Sequence, residues 1–278
     1  MKSVAVLLLL IFLSGCSSDF FRDTPVPSFE DNNFTDGTYT EITTSTRQDL
    51  LKIDGEFTLP ILVFHHIDLP DQSITLADRT WYVTENKFER ILDFIEKNGF
   101  VTYTITEIMG FLEKGFLPHN VVVITFDDGA ADFYYNAWPI LQKYNMKSTV
   151  NIMTGVNSRN YLSKENIKEL YATGLVDFQS HGVYHSYLTR SSESEMRFEL
   201  SNSKKMLENL LDKEVVVVAY PFGLYNDIVE SVAKEIGYKA GLTIKGRSKQ
   251  KNSDFFELHR TIVTENTDIK QLLLDINN

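Results

Sequence analysis

The chain has 278 residues, 43% hydrophobic and 12% aromatic, enough to fill the core of one large α/β domain or two small ones. A formal net charge of -11 with no compensating basic cluster argues against nucleic acid as a partner and fits a neutral or cationic one.

The chain opens MKSVAVLLLLIFLSGCSS, with one lysine, an apolar run from Val4 to Leu13, and small residues leading to Cys16. This reads as an export signal, too short to span a membrane as a helix. Leu13-Ser14-Gly15-Cys16 also resembles the bacterial lipobox, whose cysteine becomes a lipidated N-terminus; an ordinary cleaved signal is the alternative. Cys16 is the only cysteine, so no intrachain disulfide can form, and a lipid on that sulfur accounts for a lone cysteine in an exported chain. Several acyl chains on one residue would anchor it stably. From residue 17 to about 54 the chain is rich in Asp, Asn, Thr, Ser and Pro and has no sustained period, which reads as a tether spanning about 35 Å if flexible. The expected organisation is therefore a signal at 1–15, lipidated Cys16 with a tether at 16–54, and one folded domain at 55–278.

Beyond Gly55 apolar runs alternate with helical patterns. "ILVFHHI" (61–67) predicts a buried strand. "TENKFERILDFIEKNG" predicts a helix capped by Thr84, with Phe88, Ile91, Leu92 and Ile95 on one face and Gly99 as terminator. A short strand at 100–103 and a helix at 107–114 follow. Then come strand 121–127, helix 132–144, strand 148–153, helix 163–173, strand 176–180, helix 192–211, strand 215–220, helix 226–236, strands 240–244 and 257–263, and a helix at 267–276. Strands separated by single helices imply right-handed βαβ units, and about seven of them suggest an incomplete parallel barrel. No glycine-rich phosphate loop follows any strand.

Parallel folds bind ligands at the carboxyl ends of their strands, and the polar residues gather there. "VVVITFDDG" ends in Asp127 and Asp128; His181 and His185 of "SHGVYH" follow a second strand; "YPFG" (220–223) follows a third; His65 and His66 sit in the first. Adjacent strand residues face opposite ways, so the two aspartates can share a site only where the backbone turns, which Gly129 permits. Two ionised carboxylates that close call for a cation or a proton, and a metal held by one would leave the other free as a base. An Asp N-cap before the helix at Asp132 is the plain alternative. Two imidazoles plus a carboxylate would make a three-ligand site with open positions, suited to zinc or a similar ion; surface or core histidines are the plain reading of that pair.

Together "TFDDG", "SHGVYH" and "AYPFG" resemble the first three motifs of the NodB-type polysaccharide deacetylases, carbohydrate esterase family 4. The likeness runs over about 59–263 and is nearest in phrasing to the poly-N-acetylglucosamine and peptidoglycan deacetylase branches. It implies a distorted or incomplete (β/α)7 barrel. It also implies a divalent metal on Asp128, His181 and His185, with Zn2+ the first expectation and Co2+, Ni2+ or Fe2+ as alternatives. Asp127 would be the general base, taking a proton from the water that attacks an acetamide carbonyl, and the Phe222 backbone N–H would be an oxyanion donor. The family's third motif commonly carries an arginine where Ala219 stands, so Arg260 is the expected substitute for orienting Asp127. The acid is unassigned between His66 and His259, the latter disfavoured because a strand neighbour of Arg260 should face away. Tyr220, Pro221 and Trp81 are candidate substrate contacts. Several tyrosines could present rings to sugars, Trp138 is expected in the core, and the acidic run "SSESEMRFE" is expected to be a solvated helix start.

The expected function is a metal-dependent N-deacetylase of N-acetylglucosamine polymers in peptidoglycan or exopolysaccharide. It would be a monomer held by lipid at a bacterial envelope, facing the periplasm or cell exterior. The alternatives are a same-fold esterase or amidase on acetylxylan or a small cyclic amide, and a non-catalytic glycan-binding lipoprotein.

Overall fold

A computed structural model describes residues 50–274. The expected signal, Cys16 and the tether as far as residue 49 lie outside the described residues. Eight parallel strands form the main sheet: β1 (Ile61–Phe64), β2 (Val101–Tyr103), β3 (Val121–Phe126), β4 (Ser148–Ile152), β5 (Val176–Ser180), β6 (Val217–Ala219), β7 (Ala240–Leu242) and β8 (Thr261–Ile262). Seven α-helices accompany them: α1 (Glu85–Lys97), α2 (Ile105–Leu112), α3 (Trp138–Lys143), α4 (Lys164–Ala172), α5 (Glu193–Leu211), α6 (Asp227–Ile236) and α7 (Ile269–Leu274). The spatial order is β7-β6-β5-β4-β3-β1-β8, with β2 pairing the first half of β3. From β3 to β7 each strand reaches its neighbour through one helix, as in right-handed βαβ units.

The two edges of this sheet approach one another. Leu258 bridges Leu242 at the end of β7, and three residues later β8 pairs with β1. A single short segment thus bonds to both edges and curls the sheet into the expected incomplete barrel. Side-chain alternation sorts its residues into two layers. Along β3, Val121 and Val123 join Ile61, Val217, Ala219, Ala240, Leu242 and Leu258 inside, while Val122, Ile124 and Phe126 face the helices.

Local chemistry sets the helix ends. Thr84 caps α1 by accepting from the Lys87 amide, and Phe88, Ile91, Leu92 and Ile95 are its buried stripe. Helix α2 starts earlier than expected because Thr104 and Glu107 form a reciprocal capping box. The expected helix at 132–144 begins with a wider π turn, Phe133–Ala137, before α3. Trp138 packs against the outer core layer.

Other segments also differ from expectation. "ILVFHHI" is not one strand: it breaks at His65, and His66–Ile67 leaves the sheet to pair with Tyr82–Val83. The expected strand at 257–263 is interrupted because Asp254 caps a 3-10 turn at Phe255–Glu257. Two antiparallel pairs, Leu50–Lys52 with Phe116–Pro118 and Glu56–Thr58 with Lys249–Lys251, are too short to show a period. They bring Phe57 and Leu117 into the inner core, and the first pair includes Leu50–Lys52, which lie N-terminal to Gly55.

Phe126 sits within an aromatic cluster, with ring centroids 4.8 Å from Phe133, 5.3 Å from Phe64 and 5.7 Å from Phe88. Phe126→Ala is expected to destabilise the fold by roughly 3–5 kcal/mol, read as a lower urea midpoint at unchanged slope.

Candidate active site

The alternation that fills the barrel also delivers the first carboxylate. Val121, Val123 and Thr125 point inward, and Asp127 is the next residue of that parity, at the carboxyl end of β3 and only 3% exposed. Directly after it the chain turns through two left-handed residues, Asp128 (φ 68°) and Gly129 (φ 78°). The turn therefore begins one residue before the glycine expected to permit it, and it swings Asp128 to the same mouth as Asp127. Gly129 is also needed for space, since a Cβ there would lie 2.6 Å from Ile152 Cδ1.

Arg260 meets Asp127 in a two-pronged pair, with Nη1 2.7 Å from Oδ1 and Nη2 2.7 Å from Oδ2. Asn151 Nδ2 donates to the same Oδ1 at 2.7 Å. The fully buried guanidinium also donates to the Thr243 carbonyl and the Thr125 hydroxyl. Burial by itself would raise the Asp127 pKa, but the attraction of Arg260, helped by His181, outweighs it and holds the carboxyl well below its usual range.

His181 continues the inward parity of Asp177 and Gln179 past β5. Its Nδ1 lies 2.7 Å from the Ala219 carbonyl, which can only accept, so Nδ1 carries a hydrogen and Nε2 is the nitrogen turned to the aspartates. That Nε2 is 3.5 Å from Asp128 Oδ1 and 3.9 Å from Asp127 Oδ2. His185 Nε2 is 3.8 Å from the same Asp128 oxygen. Burial, then the neighbouring His181, lowers the His185 pKa and favours a neutral imidazole.

Asp128 Oδ1 is buried and has no hydrogen-bond partner among the described residues. One donor atom from each of Asp128, His181 and His185 lies within 4.8 Å of the others. Ligands about 2 Å from one ion at tetrahedral angles stand about 3.4 Å apart. An orphaned carboxylate oxygen flanked by two imidazole nitrogens at this spacing fits a divalent transition ion.

These groups open into a cavity of about 330 Å³ walled by His65, His66, Trp81, Tyr82, Phe222 and Ile244 as well. Trp81 packs on His65 at 4.5 Å. Phe222 is left-handed (φ 60°) and lays its ring between Tyr187, stacked at 3.8 Å, and His185 at 4.3 Å. A larger hollow of about 680 Å³ beside Thr106, Asp177 and Lys213 holds none of the expected site residues and lies at the strands' amino ends, which serve stability in such barrels.

Not every expected residue is at this mouth. Tyr220 is fully buried with parity opposite to Ala219, stacking on Tyr225 in the outer layer, and Pro221 is buried behind it. Neither lines the cavity, so the substrate-contact expectation for both is corrected. His259 faces away from Arg260, with Nδ1 3.0 Å from the Lys249 carbonyl and Nε2 3.7 Å from Glu257, outside the cavity. Its candidacy as the acid is corrected for the reason alternation gave. His66 stays at the cavity, stacked on Tyr82 and 2.6 Å from Asp132 Oδ2.

Three contributors were not foreseen: Asn151 on Asp127, Asp132 bonded to His66, and Glu199. The "SSESEMRFE" run begins α5 as expected, yet its last residue, Glu199, is 3% exposed rather than solvated. The stripe Met196, Leu200, Ser203, Leu207, Leu211 is buried, and Glu199 falls on that face, so helical period was the available signal.

The fold and the mouth together define an α/β half-barrel with a candidate metal centre at the carboxyl ends of its strands. The model of the "Polysaccharide deacetylase" family matches residues 114–241. The poly-beta-1,6-N-acetyl-D-glucosamine N-deacetylase of Staphylococcus aureus (strain MSSA476) is 30% identical over 201 residues, covering 67% of this chain and 69% of that protein. The deacetylase PplD of Streptococcus pyogenes, solved in complex with acetate, superposes with TM-score 0.72 at 30% identity, covering 79% of this chain and 98% of that one. BC0361, a polysaccharide deacetylase from Bacillus cereus, gives TM-score 0.70 at 26% identity over 80% of this chain and 69% of that one. The chain belongs to the polysaccharide deacetylase family.

Removing the guanidinium would leave a buried carboxylate unpaired. Arg260→Ala is expected to cost roughly 3–5 kcal/mol in chemical denaturation. The folded Asp127 pKa lies below its unfolded value, so its contribution is complete above the unfolded value and is lost as pH falls through the folded one. Without Arg260 the folded value rises, and acid unfolding is expected at higher pH than in the unaltered protein.

Proposed function

We propose that the protein is a divalent-metal-dependent N-deacetylase that releases acetate from N-acetylglucosamine units of an envelope polysaccharide. The observation that carries this reading is the orphaned Asp128 Oδ1 between His181 and His185, with the Arg260-held Asp127 alongside. Asp128, His181 and His185 would hold the ion. Zinc suits this donor set, with Co2+, Ni2+ or Fe2+ as alternatives, and when bound the ion would supply Lewis acidity and a more acidic water.

The remaining work falls to this chain's residues. Asp127, kept ionised and aimed by Arg260 and Asn151, accepts a proton from the attacking water. The Phe222 amide steadies the carbonyl oxygen as charge develops there, a donor of this kind being worth roughly 3 kcal/mol. The leaving nitrogen needs a proton, and two cavity histidines could supply it. The His65 pKa is lowered first by burial and is next raised most by Asp127 and then Asp128. His66 is also subject to burial, but its net rise comes chiefly from Asp132. Burial thus favours a neutral His65, whereas Asp132 helps His66 keep a proton that it can deliver. We assign the acid to His66, held at the cavity by Asp132. Trp81 offers a flat apolar wall for a sugar ring.

The name of the Staphylococcus aureus relative supports an N-acetylglucosamine polymer as substrate. The signal-like segment through Cys16 supports a lipid anchor at a bacterial envelope, facing periplasm or exterior. In cells fed a labelled fatty acid, Cys16→Ala is expected to abolish label on the chain; label that persists would remove this part of the reading.

With N-acetylglucosamine oligomers, acetate release is expected to stop on chelation and return with Zn2+. Asp128→Ala should lose both Zn2+ and turnover. Asp127→Asn should keep Zn2+ while turnover falls at least about 100-fold, and His66→Ala should lower kcat more than His65→Ala. Release from acetylxylan alone would favour the esterase alternative, and saccharide binding with no acetate at all would favour a glycan-binding role.

A further inference from the structure

We propose that Glu199 is the positioning residue that holds the two-histidine loop in its metal-binding shape. This rests on the metal-centre reading above and concerns how that centre is built.

Glu199 lies on α5, at 3% exposure, and takes no part in the chemistry described so far. Its Oε2 accepts from the backbone amides of Val183 at 2.6 Å and Tyr184 at 2.9 Å, and its Oε1 accepts from the Ser186 hydroxyl at 2.8 Å. All three donors lie between or beside His181 and His185. A carboxylate from a rigid helix therefore gathers the connection that sets the distance between the two ring nitrogens.

The opposite side of the loop is held too. The Gly182 carbonyl accepts from the Thr154 amide at 3.1 Å, and the Val183 carbonyl accepts from the Gly155 amide at 2.8 Å. The approach is tight on both sides. A Cβ on Gly155 would meet Tyr184 and Val183 side-chain atoms at 2.4 to 2.7 Å, and one on Gly182 would stand 2.8 Å from Glu199 Oε2. The loop is thus clamped between the 154–155 turn and Glu199.

Such a clamp is needed because the loop is strained. His185 has φ 58°, a left-handed conformation uncommon for any residue but glycine, and it persists only where surroundings over-determine it. Free of Glu199, the 183–186 backbone can relax and carry the His185 ring away from Asp128. His181 would be less affected, because its amide bonds to Ile152 and its Nδ1 to Ala219.

The test uses the full chain, stripped of metal and titrated with Zn2+ alone by calorimetry. Glu199→Ala is expected to weaken Zn2+ binding roughly 10- to 100-fold, the range for groups that orient ligands. Glu199→Gln keeps a carbonyl oxygen for the two amides and is expected to restore affinity to within about threefold. Ser186→Ala removes one of the three bonds and is expected to give a smaller loss in the same direction; it decides the matter if Glu199→Ala does not fold. Leu207→Ala, a core truncation on the same helix, should lower the thermal midpoint and leave Zn2+ affinity unchanged. Wild-type affinity in Glu199→Ala, or in Ser186→Ala where Glu199→Ala is unfolded, overturns the proposal, as does an equal loss in Leu207→Ala. An unaltered chain that binds no Zn2+ overturns the parent reading and this one with it.

Discussion

The pairing of Arg260 with Asp127 is the constraint on which the barrel mouth depends. The guanidinium bonds to Asp127 and Thr125 at the end of β3 and to the Thr243 carbonyl just past β7. Arg260 itself belongs to the segment that touches both edges of the sheet. Barrel closure and the orientation of Asp127 are therefore one structural event. Buried ion pairs are often matched or bettered in stability by apolar residues of similar volume. The proposed function gives a reason for an ionised pair at this spot: a carboxylate that takes up a proton beside a bound cation has to be charged and to point one way.

Backbone strain gathers at the same mouth. Six non-glycine residues have positive φ among those described: Asn120, Asp128, Asn145, His185, Asp212 and Phe222. Asn120, Asn145 and Asp212 lie outside the cavity wall. Asp128, His185 and Phe222 all line the cavity, and each turns a side chain or amide that regular strand geometry would aim elsewhere. The stable layers of the barrel hold these conformations in place, by packing around Gly129 and by Glu199 beneath the histidine loop.

Much of this was legible because it follows from period and local chemistry. The stripe of α1, the alternation of β3, the Thr84 cap and the chain order of strands and helices all appear in the sequence. The aspartate and histidine pairs could be ranked as site residues because each follows a predicted strand. Arg260 could be matched to Asp127 through the absence of arginine at Ala219, and alternation alone turned His259 away. Segments of two or three residues carry no period, which hid the antiparallel pairs and the break at His65. Tyr220 and Pro221 were misjudged because a motif does not say which layer a side chain enters.

What the sequence determined by itself was the alternating α/β order, the family, and the residue types available to the site, since these depend on spacing along the chain and on side-chain chemistry. Only the tertiary structure decided that Asp128 turns back beside Asp127, that Asn151 shares Asp127 with Arg260, and that His65 joins His66 at the cavity. It alone put Glu199 under the histidine loop. These outcomes rest on contacts between segments far apart in sequence and on a few left-handed backbone angles, and neither leaves a periodic trace for the chain to show in one dimension.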